Sequence, residues 1–341
     1  MPVMIDAPRS VRLAQRHVGD PAPVAARRRG WLAQNGCLAT ADGTAQFRSR
    51  AVRQCLDVAA VLRRYREPLP GETWRTPASA ERRLLAQLDA LLALGKAALC
   101  QAVALAFDGD VAEPDRVFAA TLLLGCTAER AWLNILCERA ALACSRSPPE
   151  AAAAVEGLSL APRGDLGAAL APWLGEADPR LRASAVRVLG FRGELAERDW
   201  QRALQDADAG VVLAAARAPL HAYDARACES ALLPLLGRAS ESLTRAVLRA
   251  GATLRSPALH AQARRCTQAD GAWAQACLSM AMHGDLGDVA LLRSVLHSPN
   301  WRDGVAAAAC LGAAALVPDL LALQGAAEQA GRIAVRHVDR D

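Results

Sequence analysis

The sequence predicts an all-α chain arranged as an α-solenoid of stacked helical hairpins, and three observations carry that prediction. The first is composition. Hydrophobic residues make up 52% of the 341 residues and aromatics only 4%, so the apolar content is chiefly Ala, Leu and Val. Ala and Leu are strong helix formers, whereas the β-branched and aromatic residues that favour strands are scarce. Small side chains also let helices approach closely, which suits stacked pairs better than one large core. The second is punctuation: Pro and Gly recur at intervals that fit helices joined by short turns. The third is a period in the second half of the chain.

Taken in chain order, residues 1–45 carry Pro2, Pro8, Pro21, Pro23 and the triplet Arg27-Arg28-Arg29 with poor apolar periodicity. They read as a basic, loosely ordered extension with one short helix near 11–18. A helix over 46–66 follows, with Leu56, Ala59, Ala60 and Arg63 forming its apolar stripe, and Pro68, Pro70 and Gly71 ending it. Residues 80–94 form a strongly apolar helix that Gly95 closes, and 96–107 form the next. Pro114 sits at the first turn of a third helix. Thr127 is placed to cap a fourth, running through Trp132 to Cys144, and Pro148-Pro149 opens a fifth. Residues 46–165 thus read as helical hairpins without an accurate repeat.

From residue 166 to 341 the period becomes visible. Asp178, Asp208, Ser240, Asp270 and Asn300 are separated by 30, 32, 30 and 30 residues. Each can accept a hydrogen bond from the free backbone N–H groups of the helix that follows. Four residues earlier stand Leu174, Leu204, Leu236, Cys266 and Leu296, and seven later stand Ala185, Ala215, Val247, Cys277 and Ala307. Each unit therefore reads as helix A, a capped turn, and helix B. One such pair cannot bury its apolar face alone, so neighbours must stack. A last pair, 317–324 and 326–338, closes the array, with a polar tail ending at Asp341.

Charge and cysteine usage narrow the function classes. Of 40 basic residues only Lys96 is a lysine, and residues 1–66 hold 12 Arg against four acids, leaving 28 basic and 31 acidic residues in the remainder. A nearly neutral body behind a basic leader argues against a nucleic-acid binder. The leader has two readings, a solvated tail or a segment that docks on an acidic surface. The ten cysteines show no CxxC pair. Cys100, Cys126, Cys137, Cys277 and Cys310 fall in apolar helical runs, where a free thiol behaves as a small hydrophobe, and this points to a reducing, cytoplasmic location. The longest apolar run, 305–317, spans 13 residues, too short for a bilayer.

Residues 178–190, Asp-Pro-Arg-Leu-Arg-Ala-Ser-Ala-Val-Arg-Val-Leu-Gly, resemble the HEAT repeat of the phycobilin-lyase type, and Asn300 through Leu311-Gly312 is a degenerate copy. The resemblance implies a right-handed superhelix of stacked HEAT-like helical hairpins. The stretch 55–99, with Tyr65-Arg66-Glu67 and the helix beginning Glu81-Arg82-Arg83, together with the repeats, is similar to a proteobacterial HEAT-repeat family often encoded beside type VI secretion spike and effector genes. That resemblance covers about residues 46–338. It implies a non-enzymatic scaffold or adaptor handling a secretion component, and it carries no catalytic residues over.

Sites of chemistry are sparse. No GxSxG and no Gly-rich phosphate loop occurs. His17, His221, His260, His283, His297 and His337 are scattered, none with a second His at i+4. Asp285 and Asp288 read as capping residues. Trp173, Trp200, Trp273 and Trp301 could serve a nucleic-acid glycosylase, but packing explains them. No catalytic residue, cofactor, metal or small-molecule substrate is expected. Arg187, Arg217 and Arg249 each fall nine residues after the turn residue, with Arg180 and Arg245 on nearly the same face. This arginine stripe has two readings: a solvated face, or a groove forking onto carboxylates of an acidic protein partner. The stripe stops at Ser279 and Ala309. The alternative function is an enzyme on the same scaffold, lyase-like or a glycosylase.

Overall fold

A computed structural model describes residues 41–68, 72–73, 75–108, 113–218, 223–237, 240–268, 274–299 and 301–324. Among them every regular element is helical and there is no strand. No described helix is long and apolar enough to cross a membrane. The expected helix near 11–18, the end of the last pair and the C-terminal tail lie outside the described residues, as do Asp270 and Asn300.

The chain divides into two compact units, Met1–Leu195 and Ala196–Asp341. This boundary lies one hairpin beyond the point where the sequence period begins. In the first unit lie α1 (Ala41–Arg63), α2 (Ala78–Ala93), α3 (Lys96–Phe107), α4 (Pro114–Gly125), α5 (Arg130–Arg146), α6 (Pro148–Leu160), the short α7 (Leu166–Leu170) and α8 (Pro179–Arg192). The helix expected over 46–66 begins earlier, at Ala41, and ends at Arg63. Gly95 adopts a left-handed φ of 86° between α2 and α3, a geometry that glycine enters without a Cβ penalty.

The centre of this unit is α4, whose residues Val117 to Gly125 are all buried. A helix apolar on every side must be covered on every side, and α4 packs against α1, α2, α3, α5 and α6. Its approach to α6 depends on Gly157. A Cβ there would meet the Thr121 Cβ at 2.8 Å and the Phe118 carbonyl oxygen at 3.0 Å. Pro114 stands at the first turn of α4 as its fixed φ favours. Thr127 does not cap α5: Glu129 occupies the cap position, and the Thr127 hydroxyl donates back to the Leu124 carbonyl at 2.7 Å. The turn closes on the preceding helix, so that hydroxyl is spent before α5 begins.

The second unit holds α9 (Glu197–Leu204), α10 (Ala209–Ala216), α11 (Ala225–Leu232), α12 (Glu241–Leu254), α13 (Pro257–Gln268), α14 (Ala274–Met282), α15 (Val289–Leu296) and α16 (Trp301–Leu311). Residues 317–324 are helical again. Helices α10, α12, α14 and α16 pack in series, each on the one before, and α13 packs on both α14 and α15.

The three sequence columns have a direct physical counterpart. Asp178 accepts from the Arg180 N–H, Asp208 from those of Gly210 and Val211, and Ser240 from that of Leu243. Ala185, Ala215, Val247, Cys277 and Ala307 are each 0% exposed. Of the earlier column, Leu204 and Leu296 are buried, whereas Leu174, Leu236 and Cys266 are half-buried. Trp173 and Trp200 are buried, and the Trp200 indole donates to the Ala215 carbonyl at 2.9 Å. Two cysteines depart from the expected packing: Cys100 and Cys310 are exposed. They lie on the outward side of their helices, where an apolar sequence context does not bring burial.

Candidate functional site

The five stripe arginines divide between the units and differ in how their charge is spent. Arg180 and Arg187 belong to the first. Arg180 donates to the Ser145 carbonyl at 2.8 Å, and Ser145 donates to Asp178 at 2.7 Å, so these groups tie the start of α8 to the end of α5. Arg187 is exposed on α8, close to the Cys144 thiol. Burial raises that thiol, while the Ser184 hydrogen bond and the Arg187 charge act the other way.

Arg217, Arg245 and Arg249 belong to the second unit and are all exposed. Arg245 pairs with Glu241 one turn earlier on α12. Arg217 directly follows α10, as its C-cap, and Arg249 lies on α12, the helix that packs against α10. Among the described residues neither guanidinium has an acidic partner. Each lies two residues after a fully buried residue of the core column, Ala215 or Val247. The helical turn therefore fixes them outward wherever the column points inward. The equivalent Ser279 is buried, so the outward register does not continue into α14.

Arginines near the start of the chain are committed differently. Arg63 donates to Glu156 and to Asp115, each at 2.8 Å, Arg66 reaches Glu156 at 2.6 Å, and Arg116 reaches Asp57 at 2.8 Å. The Arg63 and Arg66 guanidinium carbons stand 5.3 and 5.5 Å from the centre of the buried Phe118 ring. This network joins α1, α4 and α6.

A second cluster, in the second unit, gathers residues that the sequence left scattered. His260 lies one turn into α13, and its Nε2 is 2.7 Å from Oδ2 of Asp288. Arg264, four residues further along α13, places Nε 3.2 Å from Oδ1 of the same carboxylate. The i, i+4 spacing puts both side chains on one face of the helix. Asp288 is fully buried. It was expected to cap a helix, but its side chain makes no cap bond to α15. Asp285 does cap, accepting from the Gly287 N–H at 2.8 Å. His283 stacks on His260 with ring centres 4.4 Å apart. Burial, followed by the neighbouring His260, holds the His283 imidazole below its usual range.

The histidines are thus paired across a hairpin rather than along a helix, and a search at i+4 could not find them. A usable signal existed. His260 and Asp288 are 28 residues apart, close to the 30-residue step, so residues about one repeat apart are spatial neighbours. His297 follows a related pattern further on, 2.9 Å from Asp319, which also accepts from Arg293 at 3.0 Å. These two hydrogen bonds, Arg293 first, hold the Asp319 carboxyl below the usual carboxylate range.

Cys126 and Cys228 are poorly suited to act as nucleophiles. Burial pushes Cys126 up to about 12 and Cys228 up to about 11, with nearby acids adding to the rise. In comparisons with known proteins, no protein-family model matches the chain, and no curated protein is significantly similar to it.

Proposed function

We propose that this chain is a non-enzymatic, protein-binding scaffold: an α-solenoid of HEAT-like hairpins that holds an acidic segment of a partner protein. The observation that carries the proposal is the pair Arg217 and Arg249. They are exposed, without an acidic partner among the described residues, and set in the same register on two helices that pack together. A planar guanidinium presents a fork of donors that matches a carboxylate, and two of them on adjacent helices suit an extended acidic segment. The solenoid reading is supported by hairpins that pack in series and by a core column buried at all five of its positions. The similarity of 46–338 to a HEAT-repeat family found near type VI secretion genes suggests a spike or effector component as that partner.

Affinity capture from an extract of the source cells tests the proposal, with the unaltered chain compared against R217E/R249E at low and high salt. The proposal expects one stoichiometric acidic protein that is lost at high salt and absent from the double variant, whose melting is unchanged. Retention of the same protein by R217E/R249E overturns the role of the arginines. Recovery of nucleic acid in its place overturns the class of partner.

A further inference from the structure

We infer that His260, Asp285 and Asp288 form a binding site for a divalent transition-metal ion of the zinc class. One ligand atom from each of the three lies within 4.8 Å of the other two. Nitrogen and oxygen ligands stand about 2.0–2.2 Å from a zinc ion, hence about 3.3–3.6 Å from one another in tetrahedral geometry. Side-chain shifts that close the widest of these separations by up to about 1.5 Å bring the set to that geometry. One imidazole and two carboxylates form a mixed nitrogen and oxygen set, which favours zinc-class ions over calcium or magnesium.

Two further observations point to a ligand at this place rather than to a closed ion pair. Asp288 is fully buried, yet its Oδ1 has no hydrogen bond; Arg264 stands 3.2 Å away but out of line. The His283 Nε2, in the ring stacked on His260, is also buried without a hydrogen-bond partner. Buried polar atoms are seldom left unpaired. A cation held by Asp288 and His260 would supply the charge that this carboxylate faces only obliquely. Asp285 is exposed and stands as the N-cap just before the 3-10 turn Leu286–Asp288, so an ion can enter from solvent. Arg264 competes with the cation for Asp288, and its side chain, 41% exposed, is free to turn outward. Binding opens the His260–Asp288 hydrogen bond, at 2.7 Å shorter than the separation of two ligands of one zinc, and releases its proton to solvent.

The test is titration of the tag-free, chelator-treated full chain with zinc chloride by calorimetry, repeated with cobalt(II) and its visible spectrum. The expected result is one ion per chain. D285A and H260Q each weaken binding by more than about 10-fold, the least that loss of even an outer-shell partner costs, while R264A tightens it by about ten-fold because a like charge is removed. H297A leaves it unchanged. D285A alters an exposed side chain, and R264A predicts a gain, so neither result can be mistaken for unfolding. No binding to the unaltered chain overturns the inference, as does binding that D285A and R264A do not alter. A cobalt spectrum with a thiolate charge-transfer band retained in H260Q assigns the ion to the exposed cysteines and overturns it too.

Discussion

Two groups of arginines, one in each unit, serve opposite ends. In the first, Arg63, Arg66 and Arg116 are drawn between helices, fixed on Asp57, Asp115 and Glu156 and laid over Phe118. In the second, Arg217 and Arg249 stand exposed beside a buried column. The difference follows from helix architecture. Around α4 the first unit gathers long helices whose flanks meet, and acids and arginines meet with them. On α10 and α12 the buried positions are chiefly Ala, Val and Leu, and no acid among the described residues pairs with Arg217 or Arg249. Arginine content alone therefore says nothing about binding; the number of acids within reach decides it.

Four changes sharpen that contrast, in falling order of expected effect. R63A/R66A removes two half-buried cations, leaving Glu156 without its arginine partners and Asp115 held by Arg64 alone. The cost is about 2–4 kcal/mol, a drop of about 5–10 °C in the thermal midpoint. Gly157→Ala forces a methyl group into the contact of α6 with α4 and costs about 1–3 kcal/mol, read from urea unfolding. In the second unit, Asp208→Ala removes the acceptor for two backbone N–H groups and costs about 1 kcal/mol by the same measurement. R217A/R249A changes stability by less than about 0.5 kcal/mol, as expected for exposed side chains without partners.

A pH scan adds a check on the joint between α5 and α8. The Ser145 hydroxyl and the Arg180 N–H hold the Asp178 carboxyl below the usual carboxylate range. A folded value below the unfolded one contributes stability above the unfolded pKa, and that contribution is lost as pH falls through the folded value. Acid unfolding of D178N should therefore depend less steeply on pH below about 4 than that of the unaltered chain. Equal slopes would show that Asp178 contributes no such term.

Much of the fold was legible because it is written in single residues. Caps at Asp178, Asp208 and Ser240 act on N–H groups two or three residues ahead, and the column from Ala185 to Ala307 follows from a fixed offset. Local grammar of that kind survives in the sequence. The first unit was less legible because its order rests on contacts 50 to 90 residues apart, such as Arg63 with Asp115 and Glu156, which no period marks. The arginine stripe could be read as a register but not as a division of labour, since Arg180 and Arg245 find partners that only packing reveals. Thr127 and Asp288 went astray for one reason: a capping residue type was offered a better partner, the Leu124 carbonyl in one case and His260 in the other.

Thermal melting of R63A/R66A and R217A/R249A beside the unaltered chain separates the two uses of arginine most directly. The first variant is expected to melt at least about 5 °C lower while the second melts with the unaltered protein. A marked fall for R217A/R249A would show that these arginines hold the fold together and are not free for a partner. An unmoved R63A/R66A would contradict the structural role given to the network around Phe118.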